Sequence, residues 1–151
     1  MNNSTNLPKP ASKNSLFYPV MTETLSRRCI WLGAGAAYFY GGIALLIGIA
    51  VLLSPSFAQG FSQKDMSDAS RIGSSVGMLI QGVVYFGLAF AISRGNRSAA
   101  VVALMAFVAE KLIFPPTPLT LGYFIFSVTL ALLLALGIRG TNGKHQLEKN
   151  I

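Results

Sequence analysis

The apolar positions fall into four runs separated by short polar punctuation. The first covers 30–53, between Arg28 and the Ser54-Pro55 pair, and the second covers 72–93, bracketed by Arg71 and Arg94. The third opens after Arg97 and covers 98–114, with Glu110 and Lys111 near its far end; the fourth covers 119–138 and closes at Arg139 and Gly140. A helix needs about 20 mostly apolar residues to cross a hydrocarbon core of roughly 30 Å. The pattern therefore predicts an all-α membrane protein, with four transmembrane helices in an up-down-up-down bundle. The third run is the shortest. Its unbroken stretch, 99–109, is too short to cross alone, and Leu112, Ile113 and Phe114 extend it to a helix of about 25 Å. Such a helix spans if Glu110 and Lys111 sit in the far headgroup region, where a lysine can snorkel. Pro115, Pro116 and Pro118 then make the turn, because a residue preceding proline avoids helical geometry. So short a connection makes the third and fourth helices antiparallel neighbours. A re-entrant hairpin is the alternative for this run.

Composition narrows the class. Of 151 residues 52% are apolar and 11% charged, against about 25% charged in soluble domains. The mean hydropathy is +0.55. These values exclude a disordered chain, a coiled coil and an ordinary soluble globule. The net charge of +7 has its meaning in position: the bases flank apolar runs instead of interleaving with aromatics, which points to membrane topology and not to nucleic acid. Lys9, Lys13, Arg27, Arg28, Arg94, Arg97, Arg139, Lys144 and Lys149, nine of the twelve bases, fall on one side of a four-span threading. Lys64, Arg71 and Lys111 fall on the other, among Asp65, Asp68 and Glu110. The excess places both termini in the cytoplasm, and a three-span threading would put the basic tail on the wrong side. The expected organisation is a cytoplasmic polar segment (1–29), a four-helix transmembrane domain (30–138) and a cytoplasmic basic tail (139–151), with 54–71 as the extended external loop. The expected location is a bacterial inner membrane. A cleavable signal peptide is not expected, since the polar leader and the apolar run are both too long, although Ser56-Phe57-Ala58 has the form of a cleavage site.

Small residues are the most abundant signal within the spans. Gly73 and Gly77 have GxxxG spacing on the second helix, with Gln81 and Tyr85 continuing the row, and the fourth helix carries Ser127, Ala131 and Ala135 four apart. In lipid, small residues let helix backbones approach, so these rows are expected to be a helix-packing or partner face. Close approach at Gly77 is expected to carry the Gln81 amide to a neighbouring helix, with Ser127, Thr129, Tyr38 and Tyr40 as candidate partners, because an unsatisfied amide in hydrocarbon costs several kcal/mol. Gln81 and Glu110 form the candidate intramembrane polar site. Glu110 is the one acid in any span, but its position a turn from the prolines and beside Lys111 favours an interfacial anchor. Trp31 and Tyr123 lie where aromatic belts are expected. Cys29 reads as an interfacial cysteine, with reversible acylation as the sharper alternative.

No catalytic set is present. The single histidine, His145, lies in the tail and excludes a Ser-His-Asp triad. There is no CxxC, no phosphate-binding loop and no pair of carboxylates within the spans. No metal or other cofactor is implied. Small multidrug transporters share the four-helix size, but the first helix here has no acid. The expected function is a non-enzymatic accessory or assembly component, docking on a larger membrane partner through a small-residue face. Its partners are membrane lipid and another membrane protein or a second copy, and not nucleic acid. The alternative is a small homo-oligomeric transporter or channel in which Gln81 and Glu110 meet at a pathway. The threading has a direct test. A fluorescent protein fused after Ile151 is expected to fluoresce, and a reporter active only outside the cell is expected to work when inserted near Gln63; activity of the outside reporter at Ile151 would overturn the third or fourth span.

Overall fold

A computed structural model describes residues 22–54, 67–113 and 121–149, the side chains of 147–149 excepted. It contains four helices, α1 (Glu23–Leu53), α2 (Asp68–Ser93), α3 (Arg97–Ile113) and α4 (Leu121–Lys149), and no strand among the described residues. Three of them, α1, α2 and α4, are long and apolar enough to cross a membrane. At 17 residues, α3 is about 25 Å long. The proline turn and most of the 54–71 loop lie outside the described residues.

Two helix ends differ from the sequence expectation. The first apolar run begins at Ile30, yet α1 begins at Glu23, where the Thr22 hydroxyl accepts from the Leu25 N–H at 3.4 Å. The fourth run ends at Ile138, yet α4 continues past Arg139 and Gly140 to Lys149. The two extensions pack on each other. The Ser26 hydroxyl donates to the Gly140 carbonyl at 2.7 Å, and Ser26, Gly140 and Thr141 are all buried. Tertiary contact thus continues the helices beyond the apolar stretches that hydropathy detects.

The reversal between α2 and α3 is set by local chemistry. Gly95 takes φ +85°, its N–H bonds the Ile92 carbonyl at 2.7 Å, and the Asn96 N–H bonds that of Ala91 at 3.0 Å. This paired closure ends a helix on a left-handed residue, which glycine adopts without strain. The Asn96 side chain then accepts from the Ala99 N–H at 3.2 Å and caps α3.

α1 packs along its length against α2 on one side and α4 on the other, and α3 closes the ring by touching α2 and α4. The seam of α1 follows a seven-residue period. Ile30, Ala37, Ala44 and Val51 are buried, and so are Ala34, Gly41 and Gly48, the spacing that keeps one stripe facing its neighbours in left-handed helix packing. Glycines allow the closest approaches. A Cβ placed on Gly33 would stand 2.5 Å from the Cα of Gly137, and one on Gly82 would stand 3.0 Å from the Gly41 carbonyl oxygen. Ser75 ties the far end of this seam, donating to the Gly48 carbonyl at 2.6 Å.

The row beginning at Gly73 does not behave as expected. Nothing lies within 4 Å of a Cβ placed on Gly73 or Gly77, and both are exposed, while Gln81 is half-buried and Tyr85 buried. The inner face of α2 is instead Ser75, Gly82, Tyr85, Ala89 and Ile92. A row of residues four apart slants across a helix with 3.6 residues per turn, so its glycine end faces outward and its polar end inward. The same slant carries the α4 row from half-buried Ser127 and Ala131 to exposed Ala135, whereas Leu130, Leu134 and Gly137 are buried. Gly140→Leu and Gly82→Leu are therefore expected to lower the thermal unfolding midpoint in mild detergent, with overpacking costing about 1–3 kcal/mol. Gly77→Leu is expected to leave that midpoint unchanged for the isolated chain; an equal loss at Gly77 would refute this assignment of faces.

Candidate intramembrane polar site

Inside the ring, the diagonal pair α1 and α3 is bridged by polar side chains. Tyr40 projects from α1, Gln81 from the midpoint of α2, and Glu110 with Lys111 from the far part of α3. The Tyr40 hydroxyl donates to Glu110 Oε1, and the Gln81 amide donates to Glu110 Oε2. Lys111 Nζ donates to Glu110 Oε1 at 2.9 Å and to the Tyr40 hydroxyl at 2.9 Å. The second amide N–H of Gln81 reaches the same hydroxyl at 3.3 Å. Both carboxylate oxygens are thus satisfied, and the Tyr40 hydroxyl donates once and accepts twice. Tyr123 of α4 presents its ring to Lys111, whose Nζ lies 5.4 Å from the ring centre, so all four helices contribute.

Aromatic rings enclose the charges. Lys111 Nζ lies 5.1 Å from the ring centre of Tyr40 and 5.4 Å from those of Phe107 and Tyr123, within range of cation–π attraction. Tyr40 meets Phe107 and Tyr85 edge to face, at 5.1 and 4.9 Å. The charged side chains keep limited access to the surroundings, Glu110 being 25% and Lys111 23% exposed. Tyr85 is buried, and its hydroxyl has no hydrogen-bond partner among the described residues.

The depth of this cluster follows from helix arithmetic. The Ser26–Gly140 bond and the contact of Lys144 with Gly95 bring Arg27, Arg28, Arg94, Arg97, Arg139 and Lys144 to one end of the bundle. From that end, Tyr40 is twelve residues beyond Arg28, Gln81 thirteen from Arg94, and Glu110 thirteen from Arg97. At about 1.5 Å per residue, each path covers roughly 18–20 Å. Three helices agree, and the level is more than half of a roughly 30 Å core. On α3 itself Glu110 lies three residues from Ile113, the last described residue of that helix, while its partners Tyr40 and Gln81 stand near the middles of α1 and α2.

Sequence reasoning named Gln81, Glu110 and, among the amide's partners, Tyr40; the structure brings these three together and adds Lys111, Phe107, Tyr85 and Tyr123. Ser127 and Thr129 take no part: the Thr129 hydroxyl bonds the Ile125 carbonyl of its own helix at 2.8 Å. Tyr85 carried a usable signal, lying four residues beyond Gln81 and so one turn along the same side. Lys111 carried none, because a lysine near a helix end normally marks the headgroup region. Cys29 is buried against Gly140, which removes its thiol from the surface that acylation requires. Among the described residues no group of three or more His, Cys, Asp or Glu is arranged to hold a metal.

Comparison with family models, curated proteins and solved structures finds no match to this chain.

The cluster predicts an order of mutational cost. Glu110→Leu strands the Lys111 ammonium and is expected to cost about 2–3 kcal/mol, less than the ~3–5 of a fully buried pair. Gln81→Leu is expected to cost about 0.6–2 kcal/mol, the range of interhelical polar contacts in membranes. Glu110→Leu combined with Lys111→Leu is expected to recover part of the single-variant loss. Unfolding midpoints in detergent rank the three, and a larger loss for Gln81→Leu than for Glu110→Leu would refute the arrangement.

Proposed function

We propose that this chain is a small, non-enzymatic multi-pass membrane protein that works as a transporter or channel, with the Tyr40–Gln81–Glu110–Lys111 cluster as its binding centre for a proton or small cation. The observation that carries this reading is the meeting of Gln81, at the midpoint of α2, with Glu110 of α3 inside the bundle. Ionisable groups that face the interior of a membrane bundle are costly to keep there, and they commonly mark ion and substrate paths. In the closed arrangement Lys111 neutralises Glu110 and Tyr40 holds both. A proton or cation that takes the carboxylate displaces the ammonium, and the released Lys111 retains the three aromatic faces as partners. The basic end of the bundle supports a cytoplasmic placement of both termini under the positive-inside rule, in a membrane of the bacterial inner type.

A second reading has its own observation. Gly73 and Gly77 are open on the outer face of α2, next to exposed Val76 and Ile80. That face suits an accessory or assembly component which receives a helix of a larger membrane partner. Proteoliposomes separate the two. Dye-reported proton or monovalent-cation flux driven by a potassium diffusion potential is expected from the wild type and is expected to be lost in Glu110→Gln, while Gly77→Leu conducts normally. Absence of flux in the wild type, with a heteromeric complex that survives mild detergent and dissociates on Gly77→Leu, would replace the first reading by the second.

A further inference from the structure

A groove of about 320 Å³ runs along the outer face of the bundle between α1 and α4, lined among others by Trp31, Leu32, Gly35, Phe39, Phe126 and Leu133. Its one hydroxyl-bearing wall residue, Thr129, already bonds its own helix, so the walls offer hydrocarbon and aromatic surface alone. Gly35 keeps the groove open: nothing lies within 4 Å of a Cβ placed there. Arg28 continues the α1 wall toward the basic end of the bundle. Arg28, Leu32, Gly35 and Phe39 are spaced four, three and four residues apart and share one face. Arg28 is exposed, and the acid nearest in sequence, Glu23, is paired with Arg27 at 3.1 Å. Among the described residues no ion pair includes Arg28.

We infer that this groove is a binding site for an anionic phospholipid, with an acyl chain along Gly35 and the phosphate group at Arg28. Charge complementarity selects this occupant. An apolar channel open to lipid takes an acyl chain of any phospholipid, but an exposed guanidinium on the line of the channel, in no ion pair among the described residues, favours a headgroup with net negative charge. Basic groups at the headgroup level of helix clefts recognise such lipids through the same chemistry. Trp31, 70% exposed, stands between the two parts, where an indole ring occupies the headgroup–acyl boundary. The site is independent of the polar centre between the helices.

Trp31 is the single tryptophan of the chain and reports on the groove directly. The full-length protein is reconstituted in phosphatidylcholine bilayers containing a minor share of phosphatidylglycerol or phosphatidylcholine with brominated acyl chains, and quenching of Trp31 is titrated. Brominated phosphatidylglycerol is expected to reach half-quenching at about fivefold lower mole fraction than brominated phosphatidylcholine, the ratio one basic residue near the headgroups supplies. Arg28→Gln is expected to bring the two curves together. Gly35→Phe starts from a position where a Cβ meets nothing within 4 Å and fills the groove; it is expected to remove the preference, whereas Gly87→Phe, on the outer face of α2 and equally open at its Cβ, is expected to keep it. Equal quenching by both lipids in the wild type, or an unchanged preference in Gly35→Phe, would overturn the assignment. So would a dimer by native mass that Gly35→Phe converts to monomer, since a second copy would then occupy the groove. Should Gly35→Phe fail to insert, the Arg28→Gln comparison decides alone.

Discussion

At Gly33 the backbone of α1 lies against that of Gly137 in α4, and at Gly41 it lies against Gly82 in α2. In lipid these contacts carry unusual weight. The acyl chains are as apolar as leucine, so burial of apolar surface does little to bring helices together; close packing and interhelical hydrogen bonds must do it instead. Where no side chain intervenes, many weak dispersion contacts accumulate between main chains. The same proximity lets short hydroxyls reach across, Ser26 to the Gly140 carbonyl and Ser75 to that of Gly48. The glycine pairs and the hydroxyl bonds therefore describe one constraint, and α1 is its axis.

The polar centre depends on that constraint. α1 and α3 face each other across the ring, and the narrow spacing of α1 with α2 and α4 brings α3 near enough for Tyr40 to reach Glu110. α3 in turn needs such contacts more than its neighbours do. It is the shortest helix, and its inner face is mostly alanine, Ala99, Ala100 and Ala103, with Phe107. The carboxylate and ammonium beyond Phe107 give it partners on all three other helices. An isolated charge inside the bundle would be costly. A neutral pair, with every carboxylate oxygen satisfied and aromatic faces around the ammonium, is tolerated. The residues that hold α3 in the ring are thus also the residues of the proposed proton or cation centre.

The outer surface divides along similar lines. Glycines that face inward are in contact with a neighbouring main chain or side chain, and glycines that face outward leave room beside α1 and α2. On α1 the room at Gly35 lies in line with Arg28 and is enclosed by α4. On α2 the room at Gly73 and Gly77 has no second wall among the described residues. The first shape fits a flexible acyl chain, and the second fits the ridge of another helix.

The sequence by itself determined the all-α class and the number of helices, because each depends on residues close in the chain: the length of an apolar run sets a helix. The glycine closure at Gly95 is equally local, but it was the structure that displayed it. The sequence also picked out Gln81 and Glu110, since a polar group within an apolar run stands out whatever surrounds it. Which face of each helix turns inward was decided by the tertiary structure alone. Rows of residues four apart rotate slowly around a helix, so Gly73, Gly77, Gln81 and Tyr85 could be listed together and still end on different sides. Level along the bundle was decided in the same way: Glu110 lies near the described end of its own helix and yet meets Tyr40 and Gln81 near the middles of α1 and α2, because that level is a property of the assembled bundle. The helical extensions at Glu23 and Lys149 had no hydropathy signal for the same reason: they are held by Ser26 and Gly140, residues far apart in the chain that meet only once it is folded.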